Sequence, residues 1–335
     1  FGADALRFTY ASSATSGTTV TLERERLSGS RNFATKIWNA ARFTLSQIEG
    51  KSRAESLEGR DLTLPDRWIL SRLSATAADV NRHLASFRFD EAAQALYAFL
   101  WHELCDGYLE MAKPVLSGRE GDESARETAR GVLYRCLSDS LALLHPFMPF
   151  LTEEIWEKLT GRPGTLIVSR YPTGDSAFSD ARAEEAVDRL RALVTRVRNF
   201  RGERRVSPTE PVRLWIDPGA EIPHAAEDLR RLEPRLRHLA RLSDLEFGPA
   251  PAGVVRDVVS GVAVGLALPA GAAEADTSRA EKALAQLEKE ADELSGKLRN
   301  PAFLDKAPAE VVEKTRRRLV ELEERRAALA GARAE

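Results

Sequence analysis

The run Arg31-Asn32-Phe33-Ala34-Thr35-Lys36-Ile37-Trp38-Asn39-Ala40-Ala41-Arg42-Phe43-Thr44 decides what kind of fold this chain adopts. Phe33, Ile37, Ala40 and Thr44 recur at three- and four-residue intervals, which lines them along one side of an α-helix. Ile48 continues the stripe and Gly50 ends it, so the spacing predicts a helix from Ser28 onward. Asn32, Lys36, Asn39 and Phe43 form a second stripe pointing away from the first, and Arg31 and Arg42 flank it. One side of this helix needs apolar partners, and the other carries amides, cations and a displaced aromatic ring.

The partners follow in order. Leu64-Pro65-Asp66 opens a second helix with Pro in the first turn, and Ile69, Leu73, Ala77 and Val80 form its apolar stripe. Asp90 is the expected cap of a third helix through Leu96, Phe99, Leu100 and Leu104 towards Met111. After the polar loop Ser117 to Ser124, a fourth helix carries Val132, Leu133, Leu137, Leu141 and Leu144 and stops near His145-Pro146. Thr152-Glu153-Glu154 opens a short fifth helix with Ile155, Trp156 and Leu159. Long amphipathic helices joined by short loops predict a packed bundle over residues 28–160. Residues 1–27 lack a strong period and read as a residual segment.

From residue 161 to 272 the pattern turns mixed. Thr165 to Ser169 is β-like, Glu184 to Arg204 helical, and Val212 to Ile216 alternates as a strand. A helix is expected from Ala226 to Leu242, and two strands meeting at Ser260-Gly261 within Val254 to Leu268. Residues 273–335 change again. Leu284, Leu287, Ala291, Leu294 and Leu298 step three and four apart, as do Val312, Thr315, Leu319, Leu322, Arg326 and Leu329. These are coiled-coil repeats. Pro301 and Pro308 interrupt them, so the two helices are expected to fold back as an antiparallel hairpin rather than form one long dimerising helix. The fold class is mainly α: a helical bundle, a small α+β module and a coiled-coil hairpin.

Composition narrows the function. The 335 residues suggest roughly two domains, or three if some are small. The 49 basic and 51 acidic side chains leave a net charge of −2, which excludes a chain-wide basic field but not a local basic face. No apolar run approaches the roughly 18 residues a membrane span needs. The longest, Leu141 to Leu151, is cut by His145, Pro146 and Pro149. The chain opens Phe1-Gly2-Ala3, without Met, and reads as a piece of something longer.

Catalytic constellations are missing. His102-Glu103 lies on a helix, but the zinc-protease pattern needs a second His where Asp106 stands. Cys105 and Cys136 are isolated, no phosphate loop is present, and no metal-ligand spacing occurs. Three surfaces remain. On the first helix, Phe43 is either a contact with a neighbouring helix or a ring that stacks on an unpaired base. In the second case Asn32 and Asn39 would bond base edges and Lys36 would meet phosphate. The basic segment Arg189, Arg191, Arg196, Arg198, Arg201, Arg204, Arg205 is either a solvated helix face or a contact with an RNA backbone. Lys314 with Arg316-Arg317-Arg318 offers the same choice on the arm.

Several stretches resemble valyl-tRNA synthetases. Arg31 to Phe43, Asp66-Arg67-Trp68-Ile69-Leu70-Ser71, Arg88-Phe89-Asp90-Glu91-Ala92 and Leu144-His145-Pro146-Phe147-Met148-Pro149-Phe150-Leu151-Thr152-Glu153-Glu154 are similar to that family's anticodon-binding bundle. Phe1-Gly2-Ala3-Asp4-Ala5-Leu6-Arg7 looks like the segment after the second catalytic signature of class I synthetases. The tail, Leu298 to Lys314, resembles the valyl enzyme's C-terminal arm. The bundle alone would also suit isoleucyl or leucyl relatives. Isoleucyl enzymes often end in a cysteine-ligated zinc module, which two separated cysteines cannot build. Gly107 departs from the pattern, since the family commonly has Trp there.

The resemblance implies a parent enzyme that joins valine to tRNA(Val) using ATP and Mg, and that hydrolyses mischarged product in an editing domain. Both class I signatures and the editing domain are absent from this chain, so it is expected to be inactive alone and to hold no cofactor. By position, Lys36, Asn39, Arg42 and Phe43 match the anticodon-facing helix, with Asn32 on the same stripe. Arg198, Arg201, Arg205, Lys314, Arg316 and Arg317 are the expected contacts to the RNA backbone or tRNA corner. The implied partners are tRNA(Val) and the catalytic and editing domains of the same enzyme, in a cytoplasmic monomer. The rival readings are a coiled-coil protein-interaction module and a helical hydrolase built on His102 and Glu103.

Overall fold

The computed structural model describes residues 1–13, 22–48, 57–160, 165–219 and 222–268, with Ala291, residues 294–296, Leu298 and Leu319. Apart from those few positions, the expected coiled-coil hairpin, with its Lys314, Arg316 and Arg317, lies outside the described residues.

The bundle begins earlier than its periodicity suggests. Helix α1 spans Ala3–Ser13 and α2 spans Arg24–Ile48. α1 buries only Ala5, Phe8 and Thr9, too few positions to mark a period. Those few are placed well: the Phe8 and Phe33 rings are 5.0 Å apart, and the Thr9 and Ser30 hydroxyls are 2.7 Å apart. Residues 1–13 are therefore part of the bundle. α2 buries Phe33, Ile37, Ala40, Thr44 and Ile48, the expected stripe.

Helix α3 covers Leu64–Ala85. Its first turn holds Pro65 and Asp66, and Asp66 Oδ2 accepts from Thr63 N at 2.9 Å and Thr63 Oγ1 at 2.5 Å. The third expected helix is one continuous rod of three parts: α4 (Phe89–Ala98), a π-helical stretch Phe99–Tyr108, and α5 (Leu109–Leu116). Its cap position is Arg88; Asp90, expected there, lies buried inside the first turn. The π geometry brings residues five apart onto one side, and Phe99, Leu104 and Leu109 are buried together. Helix α6 (Glu123–Leu144) is capped by Asp122, which accepts from Ala125 N at 2.9 Å. Helix α7 (Pro149–Thr160) closes the bundle, starting at Pro149 rather than Thr152.

Thr165 to Ser169 is not a strand. Leu166–Val168 forms a 3₁₀ turn, with Ser169 N bonded to Leu166 O at 2.9 Å. Only Leu166 is buried, and Ile167 and Val168 are exposed, so the segment offers one anchor and no second face for a sheet.

Helix α8 (Ala181–Glu203) joins the two halves. It packs on α3 of the bundle and on α9 (Ala225–Arg231) and α10 (Glu233–Ala240) of the module. The single helix expected over 226–242 is broken at Leu232, because Pro234 opens α10 and supplies no backbone donor. The mixed sheet has order β2-β1-β4-β3, from β1 (Val212–Asp217), β2 (Leu242–Phe247), β3 (Val255–Val259) and β4 (Val262–Ala267). β2 lies parallel to β1 after the α9–α10 crossover, and the other pairs are antiparallel. β3 and β4 meet through Ser260 (φ 49°) and Gly261 (φ 78°), two left-handed residues that match the twist of a tight hairpin. At Gly265 of β4 a Cβ would fall 2.3 Å from Ala250 Cβ, so only glycine lets the 248–254 loop cross the sheet there.

Candidate nucleic-acid interface

Within the bundle, α2 packs against α1, α6, α7 and the π-helical stretch. What remains outward is a ridge of Asn32, Thr35, Asn39, Arg42 and Ser46, all exposed and spaced three and four apart. Among the described residues the side chains of Asn32, Asn39 and Arg42 have no hydrogen-bond or ion-pair partner.

The two other members of the stripe sit at its margin. Lys36 is half-buried, 2.5 Å from Asp106 Oδ1 and 4.3 Å from the centre of the Trp101 ring. Its charge already has a carboxylate and an aromatic face, both from the π-helical stretch. Phe43 is half-buried and packs against the core. The structure thus brings Asn32, Asn39 and Arg42 together as free donors and acceptors, and holds Lys36 and Phe43 beside them as anchored groups. Sequence periodicity missed Asp106 and Trp101, since their contact with Lys36 spans about 65 to 70 residues.

The second stretch is not one basic face. Arg189 is buried, and Arg191 lies 5.8 Å from the Trp68 ring centre and 3.8 Å from Asp188. Arg196 is paired with Glu203 and Asp257, and Arg204 lies over Phe200. Arg201 is only 3% exposed and donates to the carbonyls of Glu210 (2.6 Å), Ala240 (2.6 Å) and Arg241 (3.2 Å). Its expected role as a contact to an RNA backbone gives way to one inside the fold, where it satisfies the carbonyls at the end of α10 and one in the loop before β1. Burial, then the neighbouring Arg241 and Arg198 cations, hold its pKa below the usual arginine range. Arg198 and Arg205 are exposed.

The remaining candidates have structural partners. Glu103 accepts two hydrogen bonds from Arg72, at 3.0 and 3.1 Å, and His102 lies edge-on to Tyr97. Burial pushes the Cys105 thiol up to about 12, and the fully buried Cys136 well above its ordinary value. His145 ends α6 and its Nδ1 lies 2.8 Å from Thr152 Oγ1. Among the described residues no group of three His, Cys, Asp or Glu is placed to hold a metal ion. None of their helices is long and apolar enough to cross a membrane.

Residues 66–216 match the family described as the anticodon-binding domain of tRNA ligase, and residues 273–335 the valyl tRNA synthetase tRNA binding arm. Helix α2 precedes the first match and is tied to it by packing against the π-helical stretch and α6. A valine–tRNA ligase of Syntrophotalea carbinolica is 40% identical over 333 residues, covering 97% of this chain and 36% of that protein. That of Geobacter sulfurreducens is 40% identical over 336 residues, 97% of this chain and 37% of that protein. That of Rhizobium meliloti is 39% identical over 337 residues, 98% of this chain and 35% of that protein. The chain spans little more than a third of the length of these relatives. It belongs to the valine–tRNA ligase family, as a tRNA-binding C-terminal portion that carries the anticodon-binding domain and the tRNA-binding arm.

Proposed function

We propose that the outward ridge of α2 reads the anticodon of tRNA(Val), on behalf of an enzyme that attaches valine to that tRNA with ATP and Mg. The observation that carries this reading is the ridge itself: two amides and a guanidinium, exposed and unpaired among the described residues, on a helix packed against the matched anticodon-binding domain. Asn32 and Asn39 each offer a donor and an acceptor to base edges, and Arg42 offers a cation and a planar stacking surface. Lys36, held by Asp106, and Phe43, seated on the core, flank the ridge and limit how a splayed base can settle.

In this reading residues 28–160, with α1 and the first turn of α2 packed onto them, are the anticodon bundle, 161–272 a junction module, and 273–335 the arm that holds the outer corner of the tRNA through Lys314, Arg316 and Arg317. The enzyme works in the cytoplasm as a monomer, and its catalytic and editing domains are this chain's partners. The test is filter binding of the 335-residue chain to a tRNA(Val) transcript and to the same transcript with a changed anticodon. Tighter binding of the native anticodon, lost in Asn39→Ala, is expected. Equal binding of both transcripts overturns the reading.

A further inference from the structure

The junction module pairs most of its arginines. Arg182 meets Glu227 and Asp228, Arg196 meets Glu203 and Asp257, and Arg213 meets Asp244 and Glu246. Arg231, Arg235 and Arg237 each have a carboxylate as well. Arg230 lies over the Phe247 ring, and Arg256 donates to backbone carbonyls. Against that pattern Arg198 and Arg241, like Arg170 ahead of α8, are exposed, and among the described residues their side chains have no carboxylate, carbonyl or ring.

These two flank the same point. Arg198 stands one turn before Arg201 on α8, and Arg241 caps the end of α10. Arg201 lies between them: its Nη2 donates to the backbone carbonyl of Arg241, and both cations act on its guanidinium. Arg241 holds a left-handed backbone (φ 50°, ψ 56°), where helices usually end on glycine. A long cation keeps that position although a residue without a side chain would be less strained there. Glu210, whose carbonyl Arg201 uses, is the carboxylate whose field reaches this corner.

We infer that Arg198 and Arg241, set around Arg201 where α8 and α10 end, form a phosphate-binding corner for the backbone of the bound RNA. The inference rests on the RNA-binding reading but not on α2: the corner contacts phosphodiesters and carries no base preference. It is a second anchor, on the module rather than the bundle.

The test is the salt dependence of tRNA binding by the 335-residue chain and by an Arg198→Gln/Arg241→Gln double variant, with melting temperatures measured alongside. Each phosphate contact contributes about 0.7–0.9 to the slope of log K against log salt. The expected result is a slope shallower by about 1.5, a loss of affinity of about tenfold at low salt, an unchanged preference for the native anticodon, and an unchanged melting temperature. An unchanged slope overturns the inference. So does a lowered melting temperature with the slope intact, which would mean that the cations only complement the helix ends. If the parent chain binds RNA without anticodon preference, the α2 reading fails while the slope still decides the corner. If it binds no RNA, both fail.

Discussion

At Tyr108 a single hydroxyl does what no local pattern announces. It donates to Asp66 Oδ1 at 2.5 Å in a fully buried site, and burial, reinforced by Asp66, holds its proton on. Asp66 Oδ2 is meanwhile committed to Thr63. Tyr108→Phe leaves Oδ1 buried without a donor, and a loss of about 1–3 kcal/mol is expected, read from chemical denaturation. The surface ridge behaves oppositely. Asn39→Ala and Arg42→Ala touch no buried group, so both should melt within about 0.5 kcal/mol of the parent. Arg42→Ala is expected to weaken binding to every transcript and to flatten its salt dependence by about one phosphate contact. The outward side of α2 was legible from i, i+3, i+4 spacing, although the stripe read there held Lys36 and Phe43, which are half-buried, where the exposed ridge has Thr35, Arg42 and Ser46. That Lys36 is already paired was not, because its carboxylate comes from a distant helix. The two thiols are buried and their proton affinity is raised, so Cys105 and Cys136 should resist a thiol reagent at pH 8 in the folded chain and react once it is denatured.

Elements differ in how much of themselves they print in the sequence. α2, α3 and α6 bury long stripes and were readable. α1 buries three positions and was not. β2, Leu242–Phe247, is an edge strand with one buried residue, Leu245, so its alternation is faint; the expected helix took Leu242, and 243–247 were given no element. What separates them is the left-handed turn at Arg241, invisible in composition. The π-helical stretch has a signal of its own, apolar pairs five apart, which three-and-four periodicity does not look for. Gly107 at its end is explained by contact: a Cβ there would lie 2.9 Å from Trp68 Cη2, and Trp68 is buried. Gly107→Ala should therefore destabilise by about 1–3 kcal/mol despite alanine's better helix propensity. The start of α8 supplies a pH-dependent case. Asp180 accepts from Ala183 N and from Arg67, whose guanidinium holds its carboxyl below the usual carboxylate range. Its ionised form therefore stabilises the fold fully above the unfolded value, about 3.9, and that contribution is lost as pH falls through the lower folded value. Asp180→Asn should be less stable than the parent at pH 6, with the gap narrowing below pH 4, as urea titrations at both pH values would show.

Across the whole molecule, the bundle and the module share one apolar core. Leu190, Leu193 and Val197 of α8 belong to the same buried cluster as Leu73 and Ala77 of α3 and Leu236 of α10. Polar ties run the same way: Arg72 reaches both Glu103 and Glu184, Ser71 donates to Glu184, Arg67 meets Asp180, and Arg235 meets Glu120. The hydrophobic stripes announced that both halves have buried faces, but the buried residues of α8 form one stripe from Ala183 to Phe200, and its sequence does not say which part of that stripe meets which half. With so continuous a core, residues 1–268 should unfold in one cooperative transition, the same by circular dichroism and by tryptophan fluorescence. The arm is a separate matter, because its family match begins at residue 273, beyond the last strand. Truncation after residue 268 should leave the melting temperature of the remainder within a degree or two of the parent's. Affinity for tRNA should fall, since the contacts proposed for Lys314, Arg316 and Arg317 are removed, and the salt slope should fall with it. The ratio of affinities for native and altered anticodons should stay as it was, because the ridge of α2 is intact. A truncated chain that lost that ratio would place anticodon discrimination in the arm and take it away from α2.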